Sequence, residues 1–169
     1  MFPESLVAAR KLLEEITPLQ TDCGLVCGGA CCQTHPGEET GMLLFPGEAE
    51  MYRGEEGFTL VDSPHGTILV CEGRCSRANR PLACRMFPLV MLLRPDGVKI
   101  ATDAAAQSVC PLARQGKSAL SQDFVAAVRQ AANLLAQDDQ QAAHLRHLTD
   151  MQDELKALRA QYRGRKEHV

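Results

Sequence analysis

The sequence predicts an α+β fold: a small cysteine-rich core with a short antiparallel sheet or hairpin, an N-terminal helix before it and a C-terminal helical hairpin after it. Three observations carry that prediction. Apolar residues recur at three- and four-residue steps near both ends of the chain, strand-like runs separated by turn residues fill the middle, and eight cysteines fall between Cys23 and Cys110 in two clusters and one outlier.

Residues 4–16, ESLVAARKLLEEI, set Leu6, Ala9, Leu12, Leu13 and Ile16 on one helix face, and Thr17-Pro18 ends the helix. The segment DCGLVCGGACCQTHPG, from Asp22 to Gly37, holds too much glycine for more than one helical turn around Cys23 to Cys27. Met42 to Phe45 reads as a short strand, broken by Pro46-Gly47 and followed by a short helix with acidic residues at its start. In FTLVDSPHGTILV, from Phe58 to Val70, two strand-like runs flank an Asp-Ser-Pro-His-Gly turn, and the second delivers the chain to Cys71. Leu89 to Leu93 and Val98 to Thr102 flank RPDG, a hairpin signal because proline presets the turn and glycine closes it. A small antiparallel sheet is therefore expected in the middle of the chain.

Beyond Cys110 the composition changes to Ala, Gln and Leu without cysteine. Residues 118–136 align Phe124, Val128, Ala131 and Leu135, and residues 140–162 align Leu148, Met151, Leu155, Leu158 and Tyr162. These read as two amphipathic helices forming a hairpin on the cysteine-bearing half; a partner-binding coiled coil is the lesser alternative, since the stripe lasts barely two heptads. The expected organisation is a cysteine-cluster metal-binding domain over 1–115, the helical hairpin over 116–163 in the same compact unit, and a disordered tail over 164–169.

A chain of 169 residues can bury roughly two-thirds of its unfolded surface, so no metal is required merely to rescue a tiny fold. The net charge of −3 argues against nucleic acid or an anionic membrane as a partner held by bulk charge. No apolar run approaches the roughly 20 residues of a membrane span, and the start MFPESLVAARKLLEEI is charged and helix-patterned where a signal peptide would be apolar. The expected location is the cytoplasm. Thiols stay reduced there, so structural disulfides are not expected.

Cysteine binds zinc or iron as thiolate, and several thiolates held together without a cation would repel strongly. Cys23, Cys27, Cys31 and Cys32 lie within sixteen residues, so their grouping points to metal; buried thiols are the bland alternative. Cys23 and Cys27 share a face if the segment turns helically, whereas neighbours Cys31 and Cys32 face opposite ways in an extended segment and either serve two sites or leave one spare. Cys71 and Cys75 follow in CEGRC, then Cys84, then Cys110 before Pro111, a pair that resembles the Cys-Pro ending of bacterial ferredoxin runs. Between Cys71 and Phe87 the cations are all arginines. Arg80 and Arg85, within RPLACR, suit contact with metal-bound sulfur or a bound anion, while Arg74 and Arg77 divide evenly between that role and a solvated basic loop. If the site is catalytic, mutation of Arg85 is expected to abolish activity and leave metal content nearly intact.

Among histidines, His35 alone is placed to complete a shell; His65 reads as an exposed turn residue, and His144 and His147 as a solvated helix face. Glu48 and Asp103 stand near strand ends as catalytic candidates, with solvated or capping roles favoured.

The order C-x3-C-x3-CC, then strands and turns, C-x3-C, RPLACRMFPL and a last Cys-Pro resembles the YkgJ-type family of zinc- or iron-chelating proteins. That family is named for its CxxCxxCC cluster, and flagellin lysine methylase is similar to it. The resemblance spans roughly residues 20–115, and its most specific part joins the double cysteine to Arg80, Pro81, Cys84, Arg85, Phe87 and Pro88. The first two gaps here hold three residues against two in the family pattern. The resemblance implies that Cys23, Cys27, Cys31, Cys32, Cys71, Cys75, Cys84 and Cys110 all bind metal.

The expected function is thus that of a metal-binding cysteine-cluster protein holding an iron-sulfur cluster or zinc, the cluster slightly favoured by the resemblance to the methylase. The alternative is a zinc-stapled interaction module whose C-terminal helices meet a protein partner. A thiol redox protein is weaker, because the chain contains no CxxC. No phosphate loop, GxSxG or GxGxxG is present, so the sequence names neither a reaction nor a substrate.

Overall fold

The structure, a computed structural model, describes residues 1–21, 23–32, 41–73 and 75–166, with the side chains of Val26, Arg165 and Lys166 outside the description. It is α+β, as the sequence predicts. Helix α1 (Glu4–Leu12) buries Leu6, Ala9 and Leu13 but ends four residues short of the expected Ile16. Continuing it would set Glu14 and Glu15 at the negative end of the helix dipole. Instead Arg77 donates to the carbonyls of Glu14 at 2.6 Å and Ile16 at 2.8 Å.

The single turn α2 (Gly24–Cys27) closes on Gly28 and Gly29, whose φ values of 65° and 71° are left-handed and suit glycine. Strand β1 (Gly41–Leu43) joins the hairpin of β2 (Phe58–Ser63) and β3 (Gly66–Cys71) in an antiparallel sheet of order β1-β3-β2. Short helix α3 (Leu82–Met86) leads into a second hairpin, β4 (Leu89–Arg94) and β5 (Gly97–Thr102), paired from Leu89↔Thr102 to Arg94↔Gly97. Both predicted hairpins are present. They form two sheets rather than one, because the segment from Cys75 through α3 separates them.

Helix α4 (Pro111–Gln115) begins directly after Cys110, with proline at the first position where its missing N–H costs nothing. Helix α5 (Gln122–Leu135) buries the predicted face, Phe124, Val128, Ala131 and Leu135, against α1 and the β4–β5 hairpin. Helix α6 (Asp139–Lys166) packs along β4. The two helices thus clasp the hairpin, each with its own contacts, and α6 continues as helix beyond residue 163.

Strand β4 lies at the centre, with Leu89, Val90, Met91 and Leu92 all buried. One apolar core runs from Leu6 and Leu13 through Leu82 and Met91 to Phe124 and Leu145, so the cysteine-bearing half and the C-terminal helices share it. Polar side chains on α6 satisfy backbone groups next to this core: Leu93 N–H donates to Thr149 Oγ1 and Ala104 N–H to Gln152 Oε1, both at 2.9 Å. Among the described residues no helix is long and apolar enough to cross a membrane.

Candidate metal centre

The fold brings cysteines from distant parts of the sequence to one side of the core. Cys23 and Cys27 bracket α2, where the Cys27 thiol lies 3.8 Å from the Cys23 carbonyl oxygen. The chain then turns at Gly28 and Gly29, and Cys32 N–H donates to the Gly29 carbonyl at 2.9 Å. That turn places the sulfurs of Cys31 and Cys32 3.9 Å apart. Cys71 ends β3 opposite Phe58, and its thiol donates to the Gly73 carbonyl at 3.4 Å. Cys84 sits in the middle of α3 and Cys110 caps α4. None of the eight is in a disulfide.

Two adjoining cavities take in all eight thiols. The larger, about 120 Å³, is bounded by Cys23, Cys31, Cys32, Cys71, Cys75 and Cys84. Its other walls are apolar, chiefly Leu13, Ile16, Met42, Phe58 and Phe87, with Arg77, Arg80 and Arg85 at its edge. The smaller, about 20 Å³, is bounded by Cys23, Cys27, Cys31 and Cys110, and by Phe87, Pro88 and Leu112. Among the described residues, no three Cys, His, Asp or Glu side chains converge as a closed metal shell. The thiols are gathered around shared space without being drawn onto one point.

Their electrostatics follow from that crowding. The Cys31 thiol is pushed up by its contact with Cys32, then by burial, then by Cys23 and Cys27. Burial is the largest cause for Cys84, reinforced by Cys75, Cys32 and Cys71. Cys75 is also raised by burial, against the downward pull of the Arg80 guanidinium beside it. A thiol held protonated in this way is a poor nucleophile, which counts against thiol redox chemistry. A bound cation reverses the logic, since a coordinating thiol is deprotonated outright.

The arginines take different parts. Arg85 donates to the carbonyls of Arg80 at 2.9 Å, Arg10 at 2.7 Å and Ala78 at 2.8 Å, so its guanidinium fixes backbone around the site. Arg77 ties the end of α1, as described above. Arg80 lies against Cys75, and its buried Nε has no hydrogen-bond partner among the described residues. Arg74 and His35 lie outside the described residues.

The remaining candidates resolve structurally. Glu48 is fully buried, is ion-paired with Arg10, and accepts from Phe45 N–H at 3.2 Å and Leu82 N–H at 2.7 Å. Asp103 accepts from Ala105 N–H at 2.8 Å and Gln152 Nε2 at 2.9 Å, a capping role. His65 is exposed in the β2–β3 turn, as expected, whereas His144 departs from the expected solvated helix face. The rings of His65 and His147 stack, with Nδ1 and Nε2 at 3.2 Å, while His144 packs edge-on to Phe45 with Nε2 buried. No local pattern announces that meeting, because it depends on the β2–β3 turn reaching α6.

No family model matches the chain, and neither a curated protein nor a solved structure matches it.

Proposed function

We propose that the protein is a metal-thiolate protein whose eight cysteines hold an iron-sulfur cluster or zinc. One observation carries this reading: cysteines from α2 through α4 line two touching cavities, and no cysteine of the chain is left elsewhere. The donor set suits either metal, being all sulfur. A buried Arg80 Nε with no hydrogen-bond partner among the described residues suits an anionic thiolate centre, whose sulfurs accept hydrogen bonds. The larger cavity exceeds what one ion enclosed by four sulfurs needs, since a single water occupies only about 10–15 Å³ on the same measure. That favours a cluster there. Such a cluster would supply one-electron chemistry in an apolar setting, and the chain's own part is to hold the thiolates, exclude water with Leu13, Met42 and Phe58, and offset charge with Arg80.

A zinc-stapled interaction module is the second reading. It is favoured by Leu158 and Tyr162 on α6, which are 52% and 67% exposed in a stripe that continues from the core. Metal analysis and the visible spectrum of protein purified without oxygen separate the two. Iron with acid-labile sulfide and a brown colour that bleaches on reduction supports the cluster; stoichiometric zinc in colourless protein supports the module. Protein with neither metal, and unable to take up either, overturns both.

A further inference from the structure

We infer that the eight cysteines form two separate four-thiolate centres, Cys23, Cys27, Cys31 and Cys110 in one and Cys32, Cys71, Cys75 and Cys84 in the other. This rests on the metal-thiolate reading above and deepens it, since eight thiols around one cavity would serve one centre with spares. The first set is the complete cysteine lining of the smaller cavity, which none of the other four reaches. Cys23 and Cys31 border both cavities, Cys27 and Cys110 do not reach the larger, and Cys32, Cys71, Cys75 and Cys84 stand in the larger alone.

The double cysteine is therefore the seam. Cys31 lines both cavities and Cys32 only the larger, with their sulfurs 3.9 Å apart, so the short turn after Gly29 can hand Cys31 to the centre built on α2 and α4, and Cys32 to the centre built on β3 and α3. Phe87 lines both cavities. The two centres also differ in surroundings: the first is closed by Pro88 and Leu112, whereas the second opens on the apolar cavity and carries Arg80.

Cadmium-113 tests the division in the intact chain, because it binds thiolates whichever metal the protein holds naturally. The full-length protein is stripped of metal and reloaded with the isotope, and cadmium-to-β-proton correlations are recorded. Two cadmium signals are expected, one correlated with the β-protons of Cys23, Cys27, Cys31 and Cys110, the other with those of Cys32, Cys71, Cys75 and Cys84. A single cadmium per chain, or one correlated with both Cys110 and Cys84, overturns the division while leaving metal binding intact. No cadmium bound at all overturns the metal reading itself. As a second readout, Cys110→Ser should halve the metal per chain and Cys71→Ser should remove the other half. Loss of all metal from each variant with helical content retained would mean one shared centre.

Discussion

Arg85 donates through Nη1 to the carbonyl oxygen of Arg10 at 2.7 Å, joining α1 to the helix that carries Cys84. Its Nε and Nη2 hold the carbonyls of Arg80 and Ala78 in the same way, so one guanidinium sets the path of the chain between Cys75 and Cys84. A cation beside a thiolate is expected from sequence to act on charge; here it acts mainly through the backbone. Arg85→Ala leaves three carbonyls without their donor and should cost about 3 kcal/mol or more in chemical denaturation, since hydrogen bonds to charged groups contribute about 1.5–3 kcal/mol each. Metal content should fall with stability, in contrast to the selective loss of activity that the sequence suggests. Arg85→Lys should recover less than half, because an ammonium lacks the planar fork. A stable variant with full metal would show that the carbonyl contacts are dispensable.

Glu48 and Arg10 form the other buried device under the site. Glu48 also accepts from the amides of Phe45 and Leu82, and Arg10 reaches the Tyr52 hydroxyl at 3.3 Å, which itself donates to the Asn79 carbonyl at 2.9 Å. Burial pushes the Tyr52 phenol up to about 12, so it remains a donor at all ordinary pH values. Glu48→Ala leaves a buried cation and two amides unpaired, and should destabilise by about 3–5 kcal/mol. Glu48→Gln keeps an acceptor and should fall between that variant and the native protein. An equilibrium urea series decides, and equal stability of all three would show that water replaces the carboxylate.

Much of this was legible in the sequence, but unevenly. The face of α5 could be read directly because Phe124, Val128, Ala131 and Leu135 are all buried in the apolar core, so periodicity and burial coincide. Both hairpins were announced by turn chemistry at Pro64 to Gly66 and Pro95 to Gly97. The face of α6 was misplaced for an equally physical reason. Its most buried positions include Gln141, Thr149 and Gln152, polar residues that bond backbone groups of the Pro46 loop, β4 and the segment after β5, and hydrophobicity cannot find them. The grouping of Cys23 to Cys32 was visible as spacing. Their relation to Cys71, Cys75, Cys84 and Cys110 depends on how β3, α3 and α4 dock, which no local pattern encodes.

His144 gives the protein a pH dependence of known sign. Burial first, and the neighbouring His147 second, lower its imidazole to about 4, while His65 stacks on His147 from the β2–β3 turn. An ordinary histidine titrates near 6.5. Between those values the unfolded chain binds the proton and the folded chain does not, so stability rises with pH across that window. The contribution is complete above about 6.5 and is lost as pH falls towards 4, on the order of 3 kcal/mol in all. His144→Gln should remove this part of the slope in urea midpoints measured from pH 4 to 7. Parallel curves for the two proteins would mean that the imidazole is hydrated and charged in the fold.

The two C-terminal helices offer a contrast that tests what the end of α6 is for. Leu135 is fully buried in the core, and Leu135→Ala should cost about 2–5 kcal/mol as lost transfer energy plus a cavity. Leu158 lies 52% exposed on the same kind of apolar stripe, and Leu158→Ala in the monomer should change stability by no more than about 0.5 kcal/mol. A larger cost for Leu158→Ala that grows with protein concentration would mean that a second copy covers this stripe, since association adds stability by mass action. A cost independent of concentration would place Leu158 within the fold of a single chain, and would remove the exposed surface on which the interaction-module reading depends.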